Sequence, residues 1–176
     1  MIRIAAAICL SLTGSAALSQ PPEPPGFRGP PYQAETPATL SGAQVIGAAQ
    51  AVALHDAGVL FVDVYPRQKR PEGLPEGTIW RAAPHQTIPG AIWLYDTGYD
   101  RLSDAESRRL AAGLARELRS RESPVVIFCR ADCWMGWNAA KRAVALGYRN
   151  VMWFPGGTDD WLLQGRDLQD ITADAP

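Results

Sequence analysis

The chain has no large excess of charge of either sign, and it is poor in cysteine and histidine. Its 176 residues carry a formal net charge of −1, which gives no sign of the basic surface that recruits nucleic acid. Among its three cysteines and two histidines, only Cys129 and Cys133 are close together in the sequence, so the chain shows no obvious set of four zinc ligands. A composition of 47% hydrophobic and 20% charged residues is typical of a globular protein, and the length fits one domain.

Long hydrophobic runs are also absent, apart from one near the N terminus. Arg3 is followed by the uncharged, apolar or small residues 4–18, and Ala17 and Ser19 are small residues at cleavage-site positions. This run is shorter than the ~20 residues that a membrane-spanning helix needs. We therefore expect residues 1–19 to be a signal peptide cleaved near Ser19, with no membrane association afterwards.

The remaining chain divides by composition. Residues 20–39 are rich in proline and glycine, which predicts an extended, mobile arm. Residues 40–170 carry the periodic apolar patterns of a folded domain, and residues 171–176 form a short C-terminal tail. We expect the mature protein to be a monomer.

Short apolar runs alternate with helical patterns within the domain. The predicted elements are helices at 47–57, from 103, at 136–146 and at 158–164, and strands at 59–64, 91–94, 124–128 and 151–154. Ser103 and Glu106 form a capping box at the start of the second helix. The alternation predicts an α/β domain with a central, mainly parallel sheet flanked by helices.

Cys129 directly follows the predicted strand at 124–128 and precedes the helix at 136–146. Sites in such sheets form at the carboxyl ends of strands, and the free amides and dipole of a helix N terminus stabilise a nearby thiolate. The thiolate is the reactive form of cysteine. Cys129 is therefore either a reactive cysteine or a buried structural one.

Cys133 is the second cysteine left after removal of the leader, which contains Cys9. The loop can bring the two Cα atoms within the ~7 Å that a disulfide requires. A bridge across so short a loop stabilises a fold little, which favours reactivity or local constraint. Thiolates also suit Cu(I), so copper binding by the pair stays an alternative.

Several blocks resemble the rhodanese family, in that family's order. They are LFVDV at 60–64, HQTIPGA at 85–91, FCR at 128–130, LGYRNV at 146–151 and PGGTDDW at 155–161. The resemblance implies a rhodanese-like fold and sulfane-sulfur transfer through a persulfide on Cys129. It also implies that the amides of residues 130–135 cradle the sulfur. The predicted substrate-binding residues are Arg130, Ala131, Asp132, Trp134 and Met135.

The string CWMGWNAAKR at 133–142 resembles an exported rhodanese subfamily named for a cysteine pair followed by tryptophan. Its members are encoded beside alcohol-oxidation systems that depend on pyrroloquinoline quinone. The resemblance implies a periplasmic accessory role, with a quinoprotein dehydrogenase or an associated exported protein as the partner. We expect no bound cofactor and no metal.

The loop departs from the thiosulfate-using pattern. Trp134 and Met135 stand where a second basic residue and a hydroxyl residue are usual, and Asp132 adds a negative charge. We expect the dianion thiosulfate to bind poorly. An apolar thiol, a persulfide or a protein cysteine is the predicted donor or acceptor. Cys133 would then resolve a persulfide, or the pair would cycle between dithiol and disulfide.

The tryptophans and histidines leave further alternatives. Trp134 and Trp137 form either a partner-docking surface or part of the core. A non-catalytic binding or assembly protein is therefore the alternative function. His85 is predicted to lie in a turn as a neutral residue bonded to backbone, and His55 to be solvated or to cap its helix.

Overall fold

The computed structural model of the protein describes residues 20–173. The predicted signal peptide and residues 174–176 lie outside the described residues. Within that range no helix is both long and apolar enough to cross a membrane. The elements, in chain order, are β1 (Gln44–Val45), α1 (Ala48–Asp56), β2 (Leu60–Asp63), β3 (His85–Thr87), β4 (Ile92–Trp93), α2 (Asp104–Glu117), β5 (Val125–Phe128), α3 (Trp134–Ala145), β6 (Val151–Phe154), α4 (Gly157–Leu163) and β7 (Gln169–Ile171).

Five strands form the central sheet, in the order β1-β6-β5-β2-β4, and every neighbouring pair is parallel. β5 lies at the centre, and all four of its residues are buried. Burial on both faces explains why this strand is a continuous apolar run rather than an alternating one. The predicted α/β fold with a mainly parallel central sheet is confirmed.

Helices cover both faces of the sheet. Leu110 and Leu114 of α2 and Trp137 of α3 belong to one hydrophobic cluster, whereas Ala51 of α1 and Trp161 of α4 belong to the other. These helices therefore bury their apolar faces against opposite sides of the same strands.

The capping box at the start of α2 is confirmed. The Ser103 side chain accepts the backbone N–H of Glu106, and the Glu106 carboxylate accepts the backbone N–H of Ser103 at 2.7 Å. This reciprocal pair satisfies two of the amides that a helix start leaves without partners.

Two boundaries differ from the sequence prediction. α3 begins at Trp134 rather than Gly136, because Trp134 and Met135 are pulled into the core as its first turn. β3 and β7 form an unpredicted two-stranded antiparallel sheet, which places His85 in a strand rather than a turn. Both strands have three residues and are largely polar, so they carry no apolar period.

The prediction for His55 is wrong. Its Nε2 lies 2.8 Å from the carbonyl oxygen of Pro89. Its ring packs edge-on against Phe61 and Trp161, with centroid distances of 5.6 and 4.9 Å. His55 is thus a packed residue that joins α1 to the turn before β4.

Candidate functional site

Cys129 lies at the carboxyl edge of the central sheet, directly after β5. The backbone N–H of Val64 donates to the carbonyl of Phe128 at 3.1 Å, which carries the β2–β5 pairing to this edge. A Cβ atom added to Gly136 would lie 3.3 Å from Cys129 Cβ. Glycine therefore lets the first turn of α3 pack directly against the cysteine.

A disulfide joins Cys129 and Cys133, with their Cα atoms 6.1 Å apart. The residues are only 2% and 5% exposed, so both sulfurs are largely shielded from solvent. The structure is thus the oxidised form of the pair. In this form Cys129 has no free thiol, so the disulfide has to be reduced before Cys129 could act as a nucleophile.

The loop between the cysteines curves tightly. Asp132 has φ 52°, a left-handed conformation that aspartate tolerates better than most residues. The backbone N–H of Ala131 donates to the Asp159 carboxylate at 2.8 Å, and Arg130 Nε lies 3.7 Å from the same oxygen. The Asp159 carboxylate, on α4, therefore already accepts one of the loop N–H groups that the sequence predicts to bind a sulfur anion.

Gly157, the first residue of α4, lies against the backbone of Cys129. Gly157 has φ 50°, and a Cβ atom there would collide with the carbonyl oxygen of Cys129. The N–H of Thr158 donates to that same carbonyl oxygen at 3.2 Å. Only glycine at 157 allows the start of α4 to support the backbone of the reactive cysteine in this way.

The arm at residues 20–39 covers the loop. The N–H of Trp134 donates to the carbonyl of Tyr32, and the N–H of Ala34 donates to the carbonyl of Asp132, both at 2.8 Å. These two bonds make an antiparallel bridge between Gln33 and Cys133. The Gln33 side chain adds a bond from its Nε2 to the carbonyl of Ala131 at 2.7 Å.

α3 anchors the arm through a fully buried asparagine. Asn138 accepts the backbone N–H of Arg28 and donates to its carbonyl, each at 2.9 Å. Lys141 Nζ donates to the carbonyl of Pro24 at 2.9 Å, and the Tyr32 hydroxyl donates to Asp100. The arm is extended, and the bonds at residues 24, 28 and 32–34 hold it against the domain, which differs from the mobile arm that its composition predicts.

The predicted binding residues separate into two groups. Arg130 and Asp132 are exposed and Ala131 is half-buried in the loop, whereas Trp134 and Met135 are each 3% exposed in the first turn of α3. All five residues lie within or directly after the loop closed by the disulfide, but only Arg130, Ala131 and Asp132 are accessible to solvent.

Trp134 and Trp137 belong to the core, which decides between the two alternatives for these residues. Trp137 is fully buried, and its indole N–H donates to the carbonyl of Thr39 at 3.1 Å. Trp134 packs against Trp137 at a centroid distance of 5.5 Å. A partner therefore cannot dock on these two rings without first displacing the arm.

His85 interacts with a carboxylate rather than with backbone, so the prediction for its partner is wrong. Its Nε2 lies 2.7 Å from Oδ2 of the fully buried Asp63. Asp63 also accepts the Thr87 hydroxyl at 2.7 Å and the N–H of Tyr65 at 2.8 Å. The acidic residue that ends β2 thus ties β3 to the same edge of the sheet as Cys129.

Metal ligands are not clustered in the part of the chain that the structure describes. Across residues 20–173, no three His, Cys, Asp or Glu side chains come together as a group that could hold an ion. The two sulfurs are bonded to each other, so Cu(I) binding would first require their reduction.

Three solved structures show similarity at low sequence identity. A polysulfide-sulfur transferase homodimer from Wolinella succinogenes is 17% identical, with 75% of this chain and 82% of that chain covered and a TM-score of 0.46. An uncharacterized protein from Saccharomyces cerevisiae is 23% identical, with 71% and 95% covered and a TM-score of 0.41. A protein of unknown function from Rhodopseudomonas palustris, described as a possible tyrosine phosphatase, is 22% identical, with 73% and 86% covered and a TM-score of 0.45.

No curated protein matches the chain. The sequence profile of the rhodanese-like domain, in contrast, matches residues 48–164, from the first residue of α1 to the residue after α4. That range contains the five-residue cysteine loop and four of the five strands of the central sheet. The chain therefore belongs to the rhodanese-like domain family.

Proposed function

We propose that the protein acts by sulfur transfer and thiol–disulfide exchange. Cys129 is the nucleophile that takes sulfane sulfur from a persulfide, and Cys133 is the resolving cysteine that releases this sulfur as sulfide. The disulfide between these residues at the carboxyl edge of the sheet is the observation that carries this proposal. A purely structural bridge has little to contribute across so short a loop. A bridge between a nucleophile and its resolving partner is instead the product of one turn of the reaction.

The reaction starts from the reduced pair. The Cys129 thiolate attacks the outer sulfur of an organic persulfide, the sulfur–sulfur bond of the donor breaks, and the donor leaves as a thiol. Cys133 then attacks the inner sulfur of the Cys129 persulfide, which forms the disulfide and releases hydrogen sulfide. A dithiol reductant restores the starting state and becomes a disulfide itself.

The charge around the loop favours a substrate with little negative charge. Asp132 lies in the loop, and the Asp159 carboxylate lies against the Ala131 amide. Arg130 is 3.7 Å from Asp159, so its charge is shared with that carboxylate. A thiosulfate dianion would meet two carboxylates here, whereas a neutral thiol, a persulfide or a cysteine of another protein would not.

The place of this chemistry in the cell is a further part of the proposal. The signal-like residues 1–19 and the string at 133–142 support an exported accessory of a quinoprotein alcohol-oxidation system. A quinoprotein dehydrogenase or an associated exported protein would then supply or receive the thiol. The alternative of a non-catalytic docking protein loses support, because Trp134 and Trp137 are buried.

A single-turnover experiment tests the reaction. Reduced wild type, Cys129→Ser and Cys133→Ser are mixed with an alkyl persulfide, and intact mass and released sulfide are followed. Cys133→Ser should hold one extra sulfur, wild type should lose two hydrogens and release sulfide, and Cys129→Ser should gain nothing. Equal sulfur uptake by Cys129→Ser and Cys133→Ser, or no uptake by either, would refute the assignment.

A further inference from the structure

A second candidate site lies beside the long loop between β2 and β3. Two adjoining cavities of about 480 and 370 Å³ share their lining at Arg67, Gln68, Ala83, Pro84 and Trp93. We call this space the loop groove. Its size is in the range of sites for small organic molecules.

One wall of the loop groove is a stack of three aromatic rings. The His85 ring lies between Tyr65 and Trp93, with centroid distances of 5.3 and 4.4 Å. The Trp93 indole N–H donates to the carbonyl of Tyr65 at 2.7 Å, and Asp63 holds His85. These contacts fix the wall before any ligand arrives, so binding costs little side-chain ordering.

Trp80 lines the larger cavity from the loop itself. The Trp80 side chain is half-buried, and it borders the cavity between the loop and the folded domain without filling it. Indole rings along the lining suit a flat apolar body, because aromatic rings pack by offset or edge contacts.

The charge of the lining is positive. Arg67, Lys69 and Arg70 line the larger cavity, and neither cavity has an Asp or Glu among its lining residues. Arg67 is ion-paired with Asp96, with Nε 3.2 Å from Oδ2, and Lys69 also acts on that carboxyl. The three cations outnumber this carboxylate, so the lining keeps a net positive charge. An anionic group is the complement of such a lining.

From these observations we propose that the loop groove binds a small planar aromatic carboxylate. Its ring system would lie against Trp80 and Trp93, and its carboxylate would face Lys69 and Arg70. This site does not depend on the Cys129–Cys133 reaction, and it would be occupied in the oxidised protein as described.

Calorimetric titration of the oxidised full chain with naphthoate tests the proposal. Naphthamide has the same ring system without the charge, and it should bind at least tenfold more weakly. Trp80→Ala and the double variant Lys69→Gln/Arg70→Gln should each weaken naphthoate binding about tenfold, equivalent to ~1.4 kcal/mol. The matched control Arg101→Gln/Arg119→Gln removes two exposed cations elsewhere and should leave binding unchanged.

The indole N–H signals of Trp80 and Trp93 give an independent readout by nuclear magnetic resonance. Naphthoate should shift both signals. In each variant, the signals of the other tryptophans should keep their wild-type positions, which shows that the variant is folded. Absence of naphthoate binding would overturn the proposal. Equal affinity for naphthoate and naphthamide, or the same loss in both double variants, would overturn it as well.

Discussion

Among single residues, Asp159 is a carboxylate from outside the cysteine loop (residues 129–133) that contacts the loop directly. Its carboxylate accepts the Ala131 N–H, and asparagine at the same position keeps an oxygen acceptor while removing the negative charge. In a reduced Cys133→Ser background, we expect Asp159→Asn to speed alkylation of Cys129 by iodoacetamide roughly twofold to fivefold. The reason is that a nearby negative charge disfavours the thiolate.

The control for this measurement is Asp167→Asn, which removes an exposed carboxylate at a position past the end of α4. It should leave the alkylation rate unchanged. A slower or unchanged rate in Asp159→Asn would show that the charge of Asp159 does not act on Cys129.

Asp96 provides a prediction about stability and pH. Burial raises the pKa of this carboxyl above its ordinary value of 3.8, although Lys69 and Arg67 act in the opposite direction. Between 3.8 and the raised pKa, the folded protein keeps a proton that the unfolded chain has lost. Folding then takes up a proton, so this group makes stability fall as pH rises through that window.

The variant Asp96→Asn should therefore lose that component of the pH dependence. Asparagine also tolerates the positive φ of 62° at this position, so the backbone is not strained by the change. Urea unfolding at a series of pH values above 3.8 measures the slope. Identical slopes for the variant and wild type would contradict the assignment.

The sequence was sufficient to place Cys129 and Cys133 but not to pair His85 with Asp63. Cys129 follows an apolar strand and precedes a helix, and this local order fixes its position at the sheet edge. Asp63 and His85 are separated by 22 residues, most of them in an irregular loop. No periodicity connects the two, so the pairing depends on the tertiary fold.

At the scale of elements, we expect the contact between the arm and the cysteine loop to control access to the disulfide. Both sulfurs are buried, and residues 32–34 bridge the loop that contains Cys133. We expect reductants to reach the disulfide mainly when this bridge opens. Ala34→Pro removes the N–H that donates to Asp132, and it should raise the rate of disulfide reduction roughly tenfold for a loss of ~1.4 kcal/mol.

Ala38→Pro is the matched control, because Ala38 is exposed in the same arm and follows a proline already. Its reduction rate should equal that of wild type. If Ala34→Pro is reduced no faster than Ala38→Pro, the arm does not limit access to the disulfide.

The sequence pattern predicts some of these elements but not the docking of the arm. The buried strands are continuous apolar runs and α2 has a clear helical period, and these elements occur where the sequence predicts them. Proline and glycine in the arm indicate an extended chain but not where it docks. Its anchors are backbone groups bound by Asn138 and Lys141, which no pattern of apolar residues reveals.

The whole molecule should tolerate loss of the disulfide. The bridge closes a loop with a sequence separation of 4, and the chain-entropy relation gives about 2 kcal/mol or less for it. The two hydrophobic clusters on either side of the sheet supply the remaining stability. Urea unfolding with and without a dithiol reductant should therefore differ by no more than this amount, whereas unfolding on reduction alone would indicate a structural bridge.

The central claim is that Cys129 and Cys133 form one exchangeable pair, and intact mass with thiol alkylation tests it most directly. The chain from residue 20 onward, which lacks Cys9, is measured as isolated, after mild oxidation with glutathione disulfide, and after reduction. We expect an oxidised form two hydrogens lighter than the dithiol, which resists alkylation until it is reduced and then takes two alkyl groups. Two thiols that remain freely alkylated after treatment with glutathione disulfide would contradict it.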